Sequence, residues 1–232
     1  ETLRFFFHGE PCFLKRHKGV GWRETFKNWL MLKRPVYGAR NEYDAIRLLE
    51  RLGVPTMTPL AFAERGFGPY MTSFLVTAEL RNKISLEDYC ADWRENPPSS
   101  AWKNALIRAL AETCAAMHFH GLNHRDCYLC HFLLDKEKAA QGVVSLSVMD
   151  LHRAEIRDRI PRRMRVKDLA GIFFSAFDLG LGRRDALRFI AAYRRGGPLD
   201  GRIWRDVLRT AIRLYRKENC GRFPALPDDC GL

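Results

Sequence analysis

The spacing of apolar residues changes character once along this chain, and that change limits the folds open to it. Before residue 79 the apolar residues fall in short runs at 3–7, 12–17, 57–64 and 71–77. Between them lie turn-forming segments such as His8-Gly9-Glu10-Pro11 and Arg65-Gly66-Phe67-Gly68-Pro69. Runs of this length predict strands, because Gly reaches backbone angles other residues resist and Pro cannot continue a ladder. Two helices interrupt them. One spans 22–32, where Trp22, Phe26, Trp29 and Leu30 recur at helical spacing, and the other spans 39–52, stopped by Gly53 and Pro55. After Glu79 the spacing is mostly helical. Ser85 is placed to cap a helix from Leu86, residues 102–119 form a long amphipathic helix ended by Gly121, and further helices are expected at 167–179, 184–194 and 202–218. In this part only 132–134 and 143–149 read as strands, on either side of a Lys-rich loop at 136–142, and the tail with Pro224 and Pro227 reads as irregular. Strands first and helices after predict an α+β fold with a small sheet lobe over 1–80 and a larger helical lobe over 81–232, joined near 78–83.

Composition narrows the setting. Hydrophobic residues make up 47% and charged residues 28% of the 232, which excludes a largely disordered chain. No apolar run reaches the roughly 18 residues that a membrane-spanning helix needs. The first residue is Glu1, so a start further upstream is expected, with any targeting signal it carries. Cysteines at 12, 90, 114, 127, 130, 220 and 230 are odd in number and scattered, a pattern that suits reduced thiols rather than a disulfide framework. Lys and Arg exceed Asp and Glu by 39 to 27, a net charge of +12, so the expected partners are anionic: nucleotide phosphates, acidic lipid, an acidic protein or nucleic acid.

The stretch from His124 to Asp135 carries the most chemistry and admits two readings. Cys127-Tyr128-Leu129-Cys130-His131 fits the C-x-x-C-H pattern of covalent haem attachment. His124-Arg125-Asp126, with His131 five residues beyond the Asp, instead fits the catalytic loop of protein kinases, with His131 where that loop carries Asn. The rest of the chain favours the second. A phosphoryl-transfer site needs a cation on the phosphates, a carboxylate on a metal ion and a group that receives the hydroxyl proton. Lys15, in the strand at 12–17, supplies the first. Glu42 shares a helix face with Ala45, Ile46 and Leu49, and a carboxylate on an apolar face calls for a cationic partner, for which Lys15 is the candidate. The alternative is that Glu42 merely complements the helix dipole. Asp126 is the catalytic candidate, grouped with Arg125 and Lys15. Glu79, at the joint, is grouped with Lys15 and Glu42 for nucleotide binding. Asp150, after the strand at 143–149, reads as a metal ligand or as a helix cap. His131 reads as a second metal ligand or as a hydrogen-bonding neighbour, since imidazole is a softer donor than magnesium prefers. Asp168 reads as a buried acceptor beneath the loop or as a helix-start carboxylate. The basic run from Arg153 to Lys167 is either a solvated face or a surface for an acceptor that bears phosphate or carboxylate groups. Zinc lacks a second ligand pair at suitable spacing.

Several of these segments together resemble the bacterial lipopolysaccharide core heptose kinases, nearly end to end. They are His124 to Asp135, Val148-Met149-Asp150-Leu151-His152-Arg153-Ala154, Pro161-Arg162-Arg163, Lys167-Asp168-Leu169, Gly19-Val20-Gly21-Trp22, the stretch from Ser85 to Trp93, and Gly180-Leu181-Gly182-Arg183-Arg184-Asp185. The resemblance implies a protein-kinase-like fold that uses ATP and Mg2+ to phosphorylate an inner-core heptose, with Asp126 as the catalytic base. It also implies a site of action on the cytoplasmic face of the inner membrane, and so a peripheral protein with an anionic glycolipid acceptor and no nucleic acid partner. Two departures stand out: no G-x-G-x-x-G precedes Lys15, and no Ala-Pro-Glu follows Asp150. The same chemistry on another acceptor, and a non-catalytic basic binding module, are the competing readings.

Overall fold

The structure, a computed structural model, describes residues 1–19 and 38–224. The helix expected at 22–32 and the tail beyond residue 224 lie outside the described residues. Strands β1 (Thr2–Phe7) and β2 (Glu10–His17) form the expected hairpin, which turns at His8 and Gly9, both at positive φ. Helix α1 (Arg40–Arg51) buries Glu42, Ala45, Ile46 and Leu49, the face its spacing predicts. Strands β3 (Pro59–Arg65) and β4 (Thr72–Ala78) follow, and the four strands make an antiparallel sheet in the order β1-β2-β4-β3. In β4 Ser73, Leu75 and Thr77 are buried while Thr72 and Phe74 are exposed, the period of two that gives a strand one inner face. Lys15 pairs in register with Leu75 and so stands on that inner face. Helix α1 is fixed against the same face: the Ser73 hydroxyl accepts the Ala39 amide at 2.8 Å, and Tyr43 stacks on Phe62 with ring centres 4.5 Å apart.

The second part is mainly helical. Strand β5 (Lys83–Ser85) leads into the short α2 (Leu86–Tyr89), capped by the Ser85 hydroxyl, which accepts the Asp88 amide at 3.0 Å. Helix α3 (Ser100–Phe119) supplies Leu106, Leu110, Cys114 and Met117 to the core. Next come β6 (Leu122–Asn123), β7 (Phe132–Asp135), α4 (Lys136–Ala140), β8 (Leu146–Val148) and β9 (Glu155–Ile156). Helices α5 (Arg162–Ala176), α6 (Arg183–Tyr193) and α7 (Gly201–Glu218) complete it, with α5 packed on α7 and α3 on α6. Phe132, Leu134, Val148, Leu151 and Leu169 are fully buried where these elements meet. Each such side chain contributes about 1.5–3 kcal/mol through burial. The first part is stitched to the second behind α1: the Thr56 hydroxyl donates to the Val148 carbonyl at 2.7 Å, and the Val148 amide donates to Pro55 at 2.9 Å.

Three local expectations are corrected. The segment at 136–142 is not a loop but contains α4, because the Asp135 side chain caps it by accepting the Lys138 amide and its residues favour a helix. Strands β5, β6 and β9 were not anticipated, since two or three residues cannot display an alternation. Helix α5 begins at Arg162, not at 167, so part of the basic run is helical: Pro161 stands at its N-cap, and the amides of Met164 and Arg165 donate back to the Pro161 carbonyl.

Candidate active site

The turn that ends α3 fixes what comes after it. Gly121 has φ +82, and a Cβ there would lie 1.8 Å from the Arg157 carbonyl oxygen, so only glycine fits. The Arg157 amide donates to the Gly121 carbonyl at 3.0 Å, and β6 pairs with β9. The chain therefore enters the stretch from His124 in a set register.

Asp168, on α5, holds that stretch from the inside. It is 1% exposed, and its carboxylate accepts the backbone amides of His124 at 2.8 Å and Arg125 at 2.9 Å, along with the Asn123 side-chain amide. His118 Nε2 approaches the same carboxylate at 3.4 Å, and the Tyr193 hydroxyl lies 2.8 Å from His118 Nδ1. Burial pushes the Asp168 carboxyl up, but hydrogen bonds from His118 and the His124 amide, with the charge of both rings, outweigh it and hold the group below its usual value. Of its two readings, buried acceptor and helix-start carboxylate, Asp168 has the geometry of the first, since α5 starts six residues earlier and both carboxylate oxygens accept loop amides. Arg125 takes φ +73, and its guanidinium pairs with Glu155 at 2.7 Å rather than with Asp126.

The outward side of the stretch is built differently. Lys15 donates to Glu42 at 2.6 Å and lies 3.6 Å from Asp150. Glu42 is 1% exposed, so losing the Lys15 charge would leave a buried carboxylate unpaired, at a cost of roughly 3–5 kcal/mol. The ion pair is therefore the better account of Glu42 than the helix dipole. Asp150 sits at φ +57, two residues past the end of β8 at Val148, and accepts a hydrogen bond from His152 Nδ1 at 2.8 Å. That bond outweighs burial and, with the charges of His152 and Lys15 adding, holds the Asp150 carboxyl well below the usual carboxylate range. His131 bridges the two aspartates: its Nδ1 is 2.7 Å from the Asp126 backbone carbonyl and its Nε2 is 3.5 Å from Asp150 Oδ2. A carbonyl only accepts, so Nδ1 carries the hydrogen, and in the neutral ring the Nε2 lone pair faces Asp150. The His131 ring is stacked on His124, centres 5.6 Å apart, and His124 Nε2 donates to the Met149 carbonyl at 3.0 Å.

Lys15, Glu42, Asp150 and His131 are thus linked by contacts of 3.6 Å or less, with Asp126 joined through its backbone to His131. Glu79 is not among them; its carboxylate pairs with Arg4 of β1 at 2.8 Å. Reading the sequence alone missed three partners: Arg153 on the Asp126 carboxylate, His152 on Asp150, and Glu155 as the shared partner of Arg125 and Arg157. Arg153 lies 27 residues from Asp126 and Glu155 30 from Arg125, which leaves no spacing to detect, whereas His152 and Asp150, like Glu155 and Arg157, are two residues apart. Cys127 is 2% exposed within the core, where its sulfur is closed to a thioether bond, so the haem reading has no physical basis here. Among the described residues no group of three or more His, Cys, Asp and Glu side chains is placed to hold a metal ion by itself.

Comparison with known proteins gives a consistent result. Residues 2–193 match the family model of the lipopolysaccharide kinase (Kdo/WaaP) family. The lipopolysaccharide core heptose(I) kinase WaaP of Pseudomonas aeruginosa is 50% identical over 215 residues, covering 92% of this chain and 78% of that protein. Its Escherichia coli namesake is 48% identical over 194 residues, covering 83% and 73%. A solved structure of WaaP in complex with acyl carrier protein is 43% identical, covers 92% of this chain and 84% of its own, and superposes with a TM-score of 0.78.

Proposed function

The chain belongs to the lipopolysaccharide kinase (Kdo/WaaP) family, and from that membership we propose that it transfers the γ-phosphoryl group of ATP to a heptose hydroxyl of the lipopolysaccharide core. The observation that carries this reading is the cluster of Lys15, Glu42, Asp150 and His131 beside Asp126, backed by the buried Asp168. We read residues 1–80 and 81–232 as the two lobes of a protein-kinase-like fold with the nucleotide between them.

Each residue then has a task. Lys15, steadied by Glu42, offers its ammonium to the phosphates. Glu79, with its carboxylate on Arg4, flanks the nucleotide at the joint. Asp126 orients the acceptor hydroxyl and takes its proton as the oxygen bonds to the γ-phosphorus; the bond from that phosphorus to the bridging oxygen breaks, and its electron pair leaves with ADP. A positioned base of this kind contributes about 10²–10⁴-fold in rate. Arg125 acts at one remove, with Glu155 anchoring its guanidinium beside β9.

The residues present fit a divalent cation. One carboxylate with a depressed pKa and one imidazole whose free nitrogen faces it would supply two of the ligands, and nucleotide phosphates and water complete such shells in phosphoryl-transfer sites. Magnesium would offset the negative charge on the phosphate oxygens, held by Asp150 and His131.

No helix among the described residues is long and apolar enough to cross a membrane. We place the protein on the cytoplasmic surface of the inner membrane, attracted by its +12 charge to anionic lipid and to its anionic acceptor. An acidic protein partner also suits it: a solved relative is in complex with acyl carrier protein, and Arg162, Arg163, Lys167, Arg209 and Arg213 line a groove of about 560 Å³ between α5 and α7. Incubation with labelled ATP and a panel of acceptors tests the main reading. Label should enter lipopolysaccharide core and not protein or nucleic acid, and should fail to enter with folded Asp126→Asn. Transfer by that variant at the wild-type rate would remove Asp126 from its role.

A further inference from the structure

One cation stands on the group that must receive the acceptor's proton. Arg153 Nη1 donates to both carboxylate oxygens of Asp126, at 2.8 and 3.0 Å. Four other cations of the site and of the basic run are committed elsewhere. Arg125 and Arg157 share Glu155, Arg162 holds Asp206, and Lys15 holds Glu42. Glu155 is buried and keeps its two arginines. Asp126 is therefore the carboxylate that Arg153 pairs with among the described residues.

The form of this pair makes it exchangeable. Arg153 is 41% exposed, and ion pairs so open to solvent are weak. It also spends a single nitrogen on two oxygens, whereas a guanidinium binds best through two parallel N–H donors, the fork that matches a carboxylate or a phosphate. An incoming anion that offers that fork competes well for Arg153. When Arg153 moves to it, both Asp126 oxygens are released to accept the hydroxyl hydrogen. Arg153 lies three residues beyond Asp150, so the group that would read the acceptor and the carboxylate assigned to the metal share one short turn.

We propose that Arg153 is a specificity-determining residue for the acceptor: it covers Asp126 in the resting protein and passes to a carboxylate or phosphate that the acceptor carries beside the receiving hydroxyl. The proposal rests on the kinase reading above. An acceptor lacking that anion leaves the base covered, so charge on the acceptor becomes a condition of transfer.

The test compares wild type, Arg153→Gln and Arg153→Lys on three probes: lipopolysaccharide core oligosaccharide from cells that lack this kinase, so that the receiving hydroxyl is free, the same material with its carboxyls reduced to alcohols, and the same material dephosphorylated. Wild type should lose about tenfold or more in kcat/KM on one of the treated probes, the loss expected for a missing charge-assisted hydrogen bond. The probe that loses identifies the anion as carboxylate or phosphate. In Arg153→Gln that discrimination should collapse toward unity through a raised acceptor KM, the KM for ATP should stay unchanged, and ATP hydrolysis without acceptor should rise. Arg153→Lys should keep part of the discrimination. The proposal is overturned if wild type treats all three probes alike, or if Arg153→Gln keeps the wild-type preference. Failure of the kinase reading looks different: no protein would then transfer phosphate to any of the probes.

Discussion

The two faces of the stretch around Asp126 are held by different kinds of bond. On the inner face, Asp168 accepts two backbone amides and a buried side-chain amide, donors that have nowhere else to go. On the outer face, Asp126 and Asp150 are held by Arg153, His152 and Lys15, flexible side chains that are 41%, 40% and 23% exposed. Backbone donors fix a geometry, whereas side-chain donors can be traded for a ligand. The contrast separates two duties of acidic residues gathered around one short stretch: one shapes the loop and the others are left available for chemistry.

Substitutions on the two faces should therefore fail in different ways. The largest effect on turnover is expected for Asp126→Asn. Phosphate transfer to lipopolysaccharide core should fall about 10²–10⁴-fold, while the melting temperature stays near wild type. Asp168→Ala should instead lose stability as well as activity. It strands several buried donors, each costing about 1–3 kcal/mol, and urea denaturation should show a drop of about 3–5 kcal/mol. An Asp168→Ala protein with wild-type stability would erase the distinction between the faces. Between these lies the ion pair that links the sheet to α1. A double-mutant cycle of Lys15→Met and Glu42→Gln, read by denaturation and by ATP KM, should give a coupling of about 0.5–3 kcal/mol.

Smaller effects test the same contrast by pH and by thiol chemistry. The Asp168 carboxyl is depressed in the folded state, so the stability it contributes is present above the unfolded value of about 3.9 and is lost as the pH falls below it. Acid titration of stability in Asp168→Asn should lack that part of the slope. Among the thiols, burial pushes Cys90 up to about 12 and Cys130 up to about 11, the latter with help from Glu87, whereas Cys220 is exposed. Alkylation at pH 8 followed by peptide mapping should, among the described cysteines, modify Cys220 first and leave Cys90 and Cys130 largely intact. Rapid labelling of Cys130 would show that the outer face opens more than its burial indicates.

What the sequence disclosed follows the same division. Glu42 was found because burial imposes a helical period on α1, and its unlike charge on an apolar face announced a partner. Asp126 and Asp150 were singled out because the loop and the strand end each carry a local pattern; Asp168 was singled out beside a helix start that lies in fact six residues earlier, at Arg162. The partners on the outer face were not found. Arg153 reaches Asp126 across 27 residues, and Glu155 gathers Arg125 and Arg157 from both sides, arrangements set by where β9 and the Asp150 turn happen to fold. A run of arginines shows only charge; the structure shows which are neutralised and which one pairs with Asp126. Strands of two residues were invisible for a related reason, since pairing partner rather than period defines them.

The bonds into Asp168 also bear on how this irregular segment moves. The amides of His124 and Arg125 end on a carboxylate that is 1% exposed, so neither can meet a solvent proton until α5 and the loop part company. In deuterated water these two loop amides should keep their hydrogens about as long as the interior of α3, and release them only with the opening of the whole core.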